Sequence, residues 1–511
     1  MYPLSTIRSA LLLIALAPTP VFAITADQVW ADWQRLASGA GAPLTATPRR
    51  DGDRLVLTRL ALTLGSPDDP AAIRLDRLVL RDNPDGTVTV LLPDSFPLTL
   101  DLPGPIGPND PDRLIFTTAA PDLAITIAGL GPTAAFDITA PSLTVTLAPL
   151  DLPPGAQEEL TVTLAMADVM LRNATDFLAP ETTISTTLTL GTLHADTAVS
   201  IPDEVVASLT LDLSALTAGI DFRALATALA RKDPSPAEVI QTLKKDVSLF
   251  ASLTHGPVSM TLDVSEAGKP PVDIALTSAS GEARIITDET GFRWDLASGA
   301  TRLDGTLNDP TVPFTKFGLG YTETAYGVAI GLGTLTEPQT FSLYARLTDL
   351  TLAGPLWAKI DPASAFPRTP FSFDLALNGL ATLKPEALMP GWQPKSDTDL
   401  PFDIIGLTLD SLLLKGLGAS LTGSGSLAFD TTDTTTYDGF PAPTGRLSFA
   451  ATGIYALIDM ADRAALLAPD ELTGFRFGLA FIAKPGDAPD TLTSTVEFKD
   501  KSLLLNGQKL R

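Results

Sequence analysis

Through most of this chain, apolar and polar residues alternate with a period of two. "RLVLTRLALTL" (Arg54 to Leu64), "LTVTLA" (Leu143 to Ala148), "LTVTLAMADV" (Leu160 to Val169) and "ISTTLTLGTL" (Ile184 to Leu193) set Thr or charge against aliphatic side chains. That period puts alternate residues on opposite faces of a strand, and a strand reads this way when its faces meet different surroundings. The turns between such runs are plain. Asn83-Pro84-Asp85-Gly86 separates "IRLDRLVLRD" from "TVTVLLP", with Gly free to take positive φ. Near the end, "TSTVEF" and "SLLLNGQKL" form another pair, with Asn506-Gly507 after the leucines, and are expected as two antiparallel strands. Strands punctuated by Gly, Pro and Asp predict a mainly β chain built as one or more extended antiparallel meander sheets.

Helices are few and local. Thr25-Ala26-Asp27-Gln28 has the form of a capping box, and Val29, Trp30, Trp33, Leu36 and Ala37 follow at helical spacing until Gly39 and Gly41. The two Trp residues are expected to dock this N-terminal helix onto the body of the protein. In mid-chain, Asp221 precedes Phe222, Leu225, Ala226, Leu229 and Ala230, and Ser235-Pro236-Ala237-Glu238 reads as a second capping box leading to Ile240, Leu243 and Val247. These predict a helical hairpin. One more helix is expected over Ile454 to Leu467, with Ile454, Leu457, Ile458, Ala461 and Ala465 on one stripe.

These shifts divide the chain into residues 1–23, 24–200 (the N-terminal helix and a β region), 201–255 (the helical hairpin), 256–383 (a second β region) and 384–511. The last part opens on the Pro-rich "KPEALMPGWQPKSDTDLPFD" and carries the C-terminal strands and helix. The first 23 residues read as a secretory signal peptide. Arg8 is the positive charge, Ala10 to Ala17 the apolar stretch, and Val21-Phe22-Ala23 the cleavage signal. The apolar stretch is less than half of the roughly 18 to 20 residues that would cross a bilayer. Cleavage after Ala23, a periplasmic location and no transmembrane segment in the mature chain are therefore expected.

Composition narrows the function. The 511 residues contain no Cys, which removes disulfides, thiol catalysis and lipoprotein acylation. Against 35 basic residues stand 59 acidic ones, a net charge of −24, which repels nucleic acid and anionic lipid headgroups alike. Only 18% of residues are charged and the mean hydropathy is +0.23. That is oily for an exported chain, and it implies strands covered on both faces or an apolar surface put to use.

No constellation for a specific chemistry stands out, so no catalytic, cofactor-binding or metal-ligating residue is assigned and no cofactor is expected. The two histidines, His194 and His255, have no second His and no Cys nearby. Gly423 to Ser426, "GSGS", lies in a strand-like run and lacks the nucleophile-elbow pattern; its small residues fit close packing. Asp430, Asp433 and Asp438 share a loop without the calcium-loop spacing, which reads as a solvated hairpin loop. An outer-membrane barrel would need aromatic girdles, whereas aromatics here are 6% and 43 prolines interrupt the ladders.

Three stretches carry a family resemblance: "ITADQVWADWQRL"; "IDPASAFPRTPFSFDLALNGLATL"; and the C-terminal run from "LLLKGLGASLTGSGSLAFD" through "ATGIYALIDMADRAALLAPDE" to "LLLNGQKLR". They resemble the bacterial envelope proteins catalogued as domain of unknown function 2125, over essentially the whole mature chain. The resemblance implies no activity and no site residues. Asn506-Gly507-Gln508 with its small-residue strand also resembles a second exported family of uncharacterised β-rich proteins. The strand habit is similar, by architecture alone, to large bacterial proteins that bridge or organise two membranes with grooved β-sheets. The reading is thus a periplasmic, non-enzymatic β protein that shields or handles something apolar, such as a lipid or an envelope protein, or that acts as envelope scaffolding. Its oligomeric state is open. The rival class is a secreted hydrolase using carboxylates. One sheet face forming a continuous aliphatic surface would favour the first class, and acids converging in a cleft the second.

Overall fold

The computed structural model describes residues 23–510, apart from 40, 67–68, 103–112, 130–132, 151, 153–157, 177–179, 226–234, 308–314, 334–336, 385–386, 388–392, 395–400, 465 and 467. The expected signal peptide therefore lies outside the described residues, except for Ala23. The alternating segments form one antiparallel sheet, of twenty-eight strands among the described residues. It meanders from Leu44–Asp51 against Arg54–Ser66 to Ser502–Leu505 against Gln508–Lys509. The longest rungs are Glu181–Ile201 and Val205–Leu225, 21 residues each, paired from end to end apart from Gly191 and Ala215. They are joined by a tight turn in which Pro202 sets φ and Asp203 takes φ 61°, with Glu204 N–H donating to Ile201 O at 3.1 Å. Pairing runs across the boundaries expected after residues 200, 255 and 383. Glu181–Ile201 joins Val205–Leu225, which joins Val258–Glu266, and Phe371–Leu383 joins Phe402–Gly416.

A line of irregularities crosses the sheet at matching register. Arg59, Asp168, Ala215 and Asp349 sit inside strands with φ between 52° and 55°. Asp168 falls opposite Gly191, and Gly191 opposite Ala215. A Cβ on Gly191 would lie 2.8 Å from Asp168 Oδ2, so a larger residue there would push the Asp168 side chain aside. In the next rungs the same line is a short break, at Gly256-Pro257, Ala279-Ser280, Gly299-Ala300 and Thr322. Bonds such as Gly256 N–H to Ser214 O (2.8 Å) and Gly299 N–H to Ser280 O (3.0 Å) keep the rungs joined there. The apolar pattern changes phase at this line. In Val205–Leu225 it occupies Val205, Ala207, Leu209, Leu211 and Leu213, then Leu216, Ala218, Ile220, Phe222 and Ala224. An inserted residue would send every later side chain to the other face, and the phase change returns them to the same one.

The helix Ala26–Gly39 forms as its capping box predicts. Thr25 N–H donates to Gln28 Oε1 at 2.9 Å, and Gln28 N–H to Thr25 Oγ1 at 3.3 Å. Its start is fixed to the sheet by Ile24 N–H to Gly86 O (3.0 Å) and Ala26 N–H to Asp82 Oδ1 (2.6 Å). Arg50 pairs with both Asp82 and Asp27 across this seam. Val29 and Trp30 are buried against Leu55, Leu57, Leu78, Leu80, Val88 and Val90, with Trp33 at the margin; this is the main buried core.

The mid-chain segment corrects the expected helical hairpin over 201–255. Residues Val205–Leu225, including Phe222, are strand, and the remainder of the first expected helix, 226–230, lies outside the described residues. Of the second, only Pro236–Gln241 is helical. Its Ser235–Glu238 capping box is present, and a wider turn, Thr242–Asp246, then leads into the strand Val247–His255. Strand pairing on both sides, with Glu181–Ile201 and with Val247–His255, outweighs the helical spacing of a few residues. The C-terminal helix is shorter than expected, Ile454–Arg463, and an unexpected helix follows at Pro469–Ile482. The C-terminal hairpin is expected as two strands and has a third. Asn506 (φ 54°) and Gly507 (φ 82°) turn Ser502–Leu505 back onto Gln508–Lys509.

Candidate apolar binding face

Residues directly opposite in an antiparallel pair project from the same face of the sheet. Following opposite partners from strand to strand therefore traces one face across the molecule. One such row begins at Leu55 and passes through Leu80, Val90, Ile125, Ile138, Leu171 and Leu188. It continues through Ala218, Leu253, Ala283, Leu296 and Tyr326, then Ala345, Leu375, Leu412, Gly423 and Phe449. No position in it is polar apart from the tyrosine hydroxyl. A neighbouring row runs Ile220, Ala251, Ile285, Trp294, Val328, Leu343, Leu377 and Leu409. Trp294 and Tyr326 meet edge to face at 6.3 Å on this surface.

The opposite face is polar. Arg284–Glu282 (2.5 Å), Arg293–Asp295 (2.6 Å), Arg346–Asp374 (2.8 Å) and Arg446–Glu497 (3.0 Å) all lie there, between residues of the apolar rows. Their partners hold the Arg293 and Arg346 guanidiniums above their ordinary pKa, chiefly through the hydrogen bonds to Asp295 and Asp374. Burial raises the Asp374 carboxyl, and the bonds from Arg346 and Ser411 outweigh it, leaving the pKa lowered. These four pairs set arginine against carboxylate on this face.

At its N-terminal end the apolar face is covered by the helix Ala26–Gly39. Over the middle strands it is open: Ile220, Leu253 and Tyr326 are 48, 42 and 45% exposed, and Ile285, Phe292, Ile330 and Leu343 are exposed too. The short helix Pro236–Gln241 reaches this surface through Ile240. With Val328, Ile330, Phe341, Leu343, Leu377 and Phe402, Ile240 lines a cavity of about 270 Å³ whose walls are almost wholly apolar. A shallower hollow of about 350 Å³ lies over Leu188, Ala218, Ile220, Leu253, Ile285 and Trp294. No acid lines either one.

The residues weighed from sequence fall elsewhere. His194 is on the polar face, where its Nδ1 lies 2.7 Å from Asp212 Oδ1, and Ser259 Oγ donates to the other Asp212 oxygen at 3.4 Å. The aspartate thus stands between Ser and His, whereas a nucleophilic triad places the His between the other two. His255 Nδ1 is 2.7 Å from Gly256 O at the crossing line. Gly423 to Ser426 lies within the strand Ala419–Asp430, and a Cβ on Gly423 would be 2.7 Å from the Phe449 ring, so the small residues do serve close packing. In the acidic loop, Asp430 accepts from Thr432, and Asp433 from Thr435, Thr436 and Lys501 Nζ (2.7 Å). The Lys501 bond, followed by those of Thr436, pushes the Asp433 carboxyl far below its usual range. Among the described residues no group of three or more His, Asp or Glu is arranged to hold a metal ion. No described helix is long and apolar enough to cross a membrane.

Residues 256–510 match the family described as uncharacterized protein conserved in bacteria (DUF2125). The match is narrower than the resemblance seen in the sequence: it takes in the middle and C-terminal stretches, and the segment "ITADQVWADWQRL" lies outside it. No curated protein and no solved structure matches the chain. Over residues 256–510, this β-rich chain belongs to the DUF2125 family of bacterial proteins.

Proposed function

We propose that this protein works in the bacterial periplasm, after export through a signal peptide cleaved behind Ala23, as a non-enzymatic handler of amphiphiles. The acyl chains of the ligand lie on the apolar sheet face. The observation that carries this reading is the row from Leu188 to Leu375, apolar at every position and open to solvent at Leu253 and Tyr326. Contiguous apolar surface on this scale is unfavourable in water and marks a place where something binds. Strands stand about 4.8 Å apart, so eight strands give a surface on the order of 30–35 Å long. One leaflet of a bilayer is about half of a ~30 Å hydrocarbon core, so a single acyl chain fits with length to spare. The carboxylates of Glu282, Asp295, Asp374 and Glu497, each paired with an arginine on the polar face, give the hydrolase alternative no support.

The test is uptake of a fluorescent fatty acid and of lysophosphatidylcholine by the delipidated full chain, with native mass spectrometry of protein taken from its own periplasm. Saturable uptake is expected, and it should be lost when Ile220 and Leu253 are both changed to Asp. An intact protein that takes up neither probe and carries no lipid would overturn the proposal.

A further inference from the structure

The helix Pro469–Ile482 is the most exposed apolar element among the described residues. Phe475, Phe477, Phe481 and Ile482 all stand in solvent, Phe477 at 78%. At 3.6 residues per turn, Phe477 and Phe481 lie on roughly the opposite side of the helix from Phe475 and Ile482. Charge ends at Arg476. Asp470 and Glu471 are in the first turn, Arg476 is turned to Asp459 at 2.7 Å, and from Phe477 to Ala483 no residue is charged or polar. The helix is also held firmly. Leu472 is buried, and the Ile482 carbonyl accepts from Ser494 Oγ (2.6 Å) and Asn506 Nδ2 (2.9 Å).

We propose that this helix docks the protein onto a zwitterionic lipid bilayer by inserting its C-terminal half among the acyl chains. A groove on a partner protein, or on a second copy of this chain, covers one stripe of a helix. A helix apolar on opposite sides suits a medium that surrounds it. Fourteen residues make about 21 Å of helix, too short to cross the ~30 Å core, so the insertion is confined to one leaflet. The net charge of −24 opposes anionic headgroups, so apolar contact drives the docking and added salt does not weaken it. The position fits a lipid-handling protein. Ser494, which ties down the end of the helix, is directly opposite Phe449 at the end of the apolar row. The docking itself does not depend on what the sheet face binds.

The test is flotation of the full chain with phosphatidylcholine vesicles. The protein should rise with the vesicles at low and high salt alike. Each phenylalanine kept out of hydrocarbon should weaken partitioning about tenfold. F477D with F481D, and separately F475D with I482D, should each abolish flotation while the melting temperature stays unchanged. Both double variants should keep fatty-acid uptake, and I220D with L253D should keep flotation, so failure of docking and failure of the sheet-face reading are distinguishable. Wild-type protein that stays at the bottom of the gradient would overturn the proposal. So would flotation that survives both double variants, or depends on only one side of the helix, which would indicate a one-sided protein groove. Self-association without lipid that the same substitutions abolish would point to a second copy instead.

Discussion

Leu80 and Leu253 stand on one row of one sheet face, yet Leu80 is wholly buried and Leu253 is open. The strands beneath them differ little in character, since both alternate and both pair on two sides. What differs is the cover. Over Leu80 the helix Ala26–Gly39 lays down Val29 and Trp30; over Leu253 there is a hollow. The same alternation therefore yields a core where an amphipathic helix is supplied and a binding surface where none is. A strand pattern reports which residues share a face, and the cover decides what that face does.

The sharpest way to break this comparison is to truncate one residue from each region. Trp30→Ala opens a cavity in a closed core and should cost about 3–5 kcal/mol in urea unfolding. Leu253→Ala should cost less than about 1 kcal/mol, because its side chain is already partly in water. Equal losses would mean that the middle of the face is as much a core as its N-terminal end.

The parts of this architecture that were legible in the sequence are those set by local chemistry. Thr25 to Gln28 announces its helix, Asn83 to Gly86 its turn, and Arg54 to Leu64 its strand. Three things were not. The strand Val205–Leu225 was hidden because its alternation jumps phase at Ser214-Ala215, so its second half, with Phe222, Leu225 and Ala226 at helical spacing, no longer reads as a continuation. The helix Pro469–Ile482 did carry a signal, since Pro469 opens it and Glu471 Oε2 accepts from Ala468 N–H at 2.8 Å. Gly474 and Gly478 lower its helical propensity, and Phe475 and Phe477 at a spacing of two resemble a strand. The apolar face itself exists only through register: nothing in a single strand says that Leu253 will lie opposite Ala218 and Ala283.

A smaller loss is expected at the far end of the sheet, where the last hairpin extends the ladder. Val496 and Leu505 carry the second row onto the last strands. Deleting Ser502 to Arg511 removes that pairing and bares Thr491–Lys499 as an edge. The loss should be about 2 kcal/mol, on the scale of one buried Leu, with aggregation on heating. Deleting Lys509 to Arg511 removes the exposed Lys509 and Leu510 with the Lys509–Leu504 pairing and the Leu510 N–H bond to Leu503 O, and should shift the melting temperature little. A ten-residue truncation that melts like the intact chain would show that the tail adds no ladder.

Smaller again should be the effect of polar substitution in the open region. Ile220→Ser with Leu253→Ser should change unfolding free energy by no more than about 0.5 kcal/mol per site, as at ordinary surface positions. The same pair at Leu57 and Leu80 should prevent folding. A soluble, well-folded Ile220→Ser, Leu253→Ser protein that has lost fatty-acid uptake would separate binding surface from core in a single measurement.

The smallest effect concerns the clamps that hold the two ends, each built on charge. Arg50 bonds Asp82 and Asp27 at the N-terminal helix, and Lys501 bonds Asp433 at the C-terminal hairpin. Asp433 is held below its ordinary value of 3.8, first by Lys501 and then by Thr436. A depressed carboxyl contributes stability that is fully present above its unfolded pKa and is lost as pH falls through the folded one. Lys501 is raised from 10.5 by the same bond, so its contribution is present below that value and fades as pH rises through the folded pKa. Lys501→Met should therefore be slightly less stable than the parent at pH 7. Its stability should fall less steeply as pH drops below 3.8, and the two curves should converge in stronger acid. Lys501 is exposed and Asp433 half-buried, so salt should shrink the difference. Parallel acid limbs in parent and variant would show that the Asp433–Lys501 bond does not operate in solution, and that the C-terminal end is held by its ladder alone.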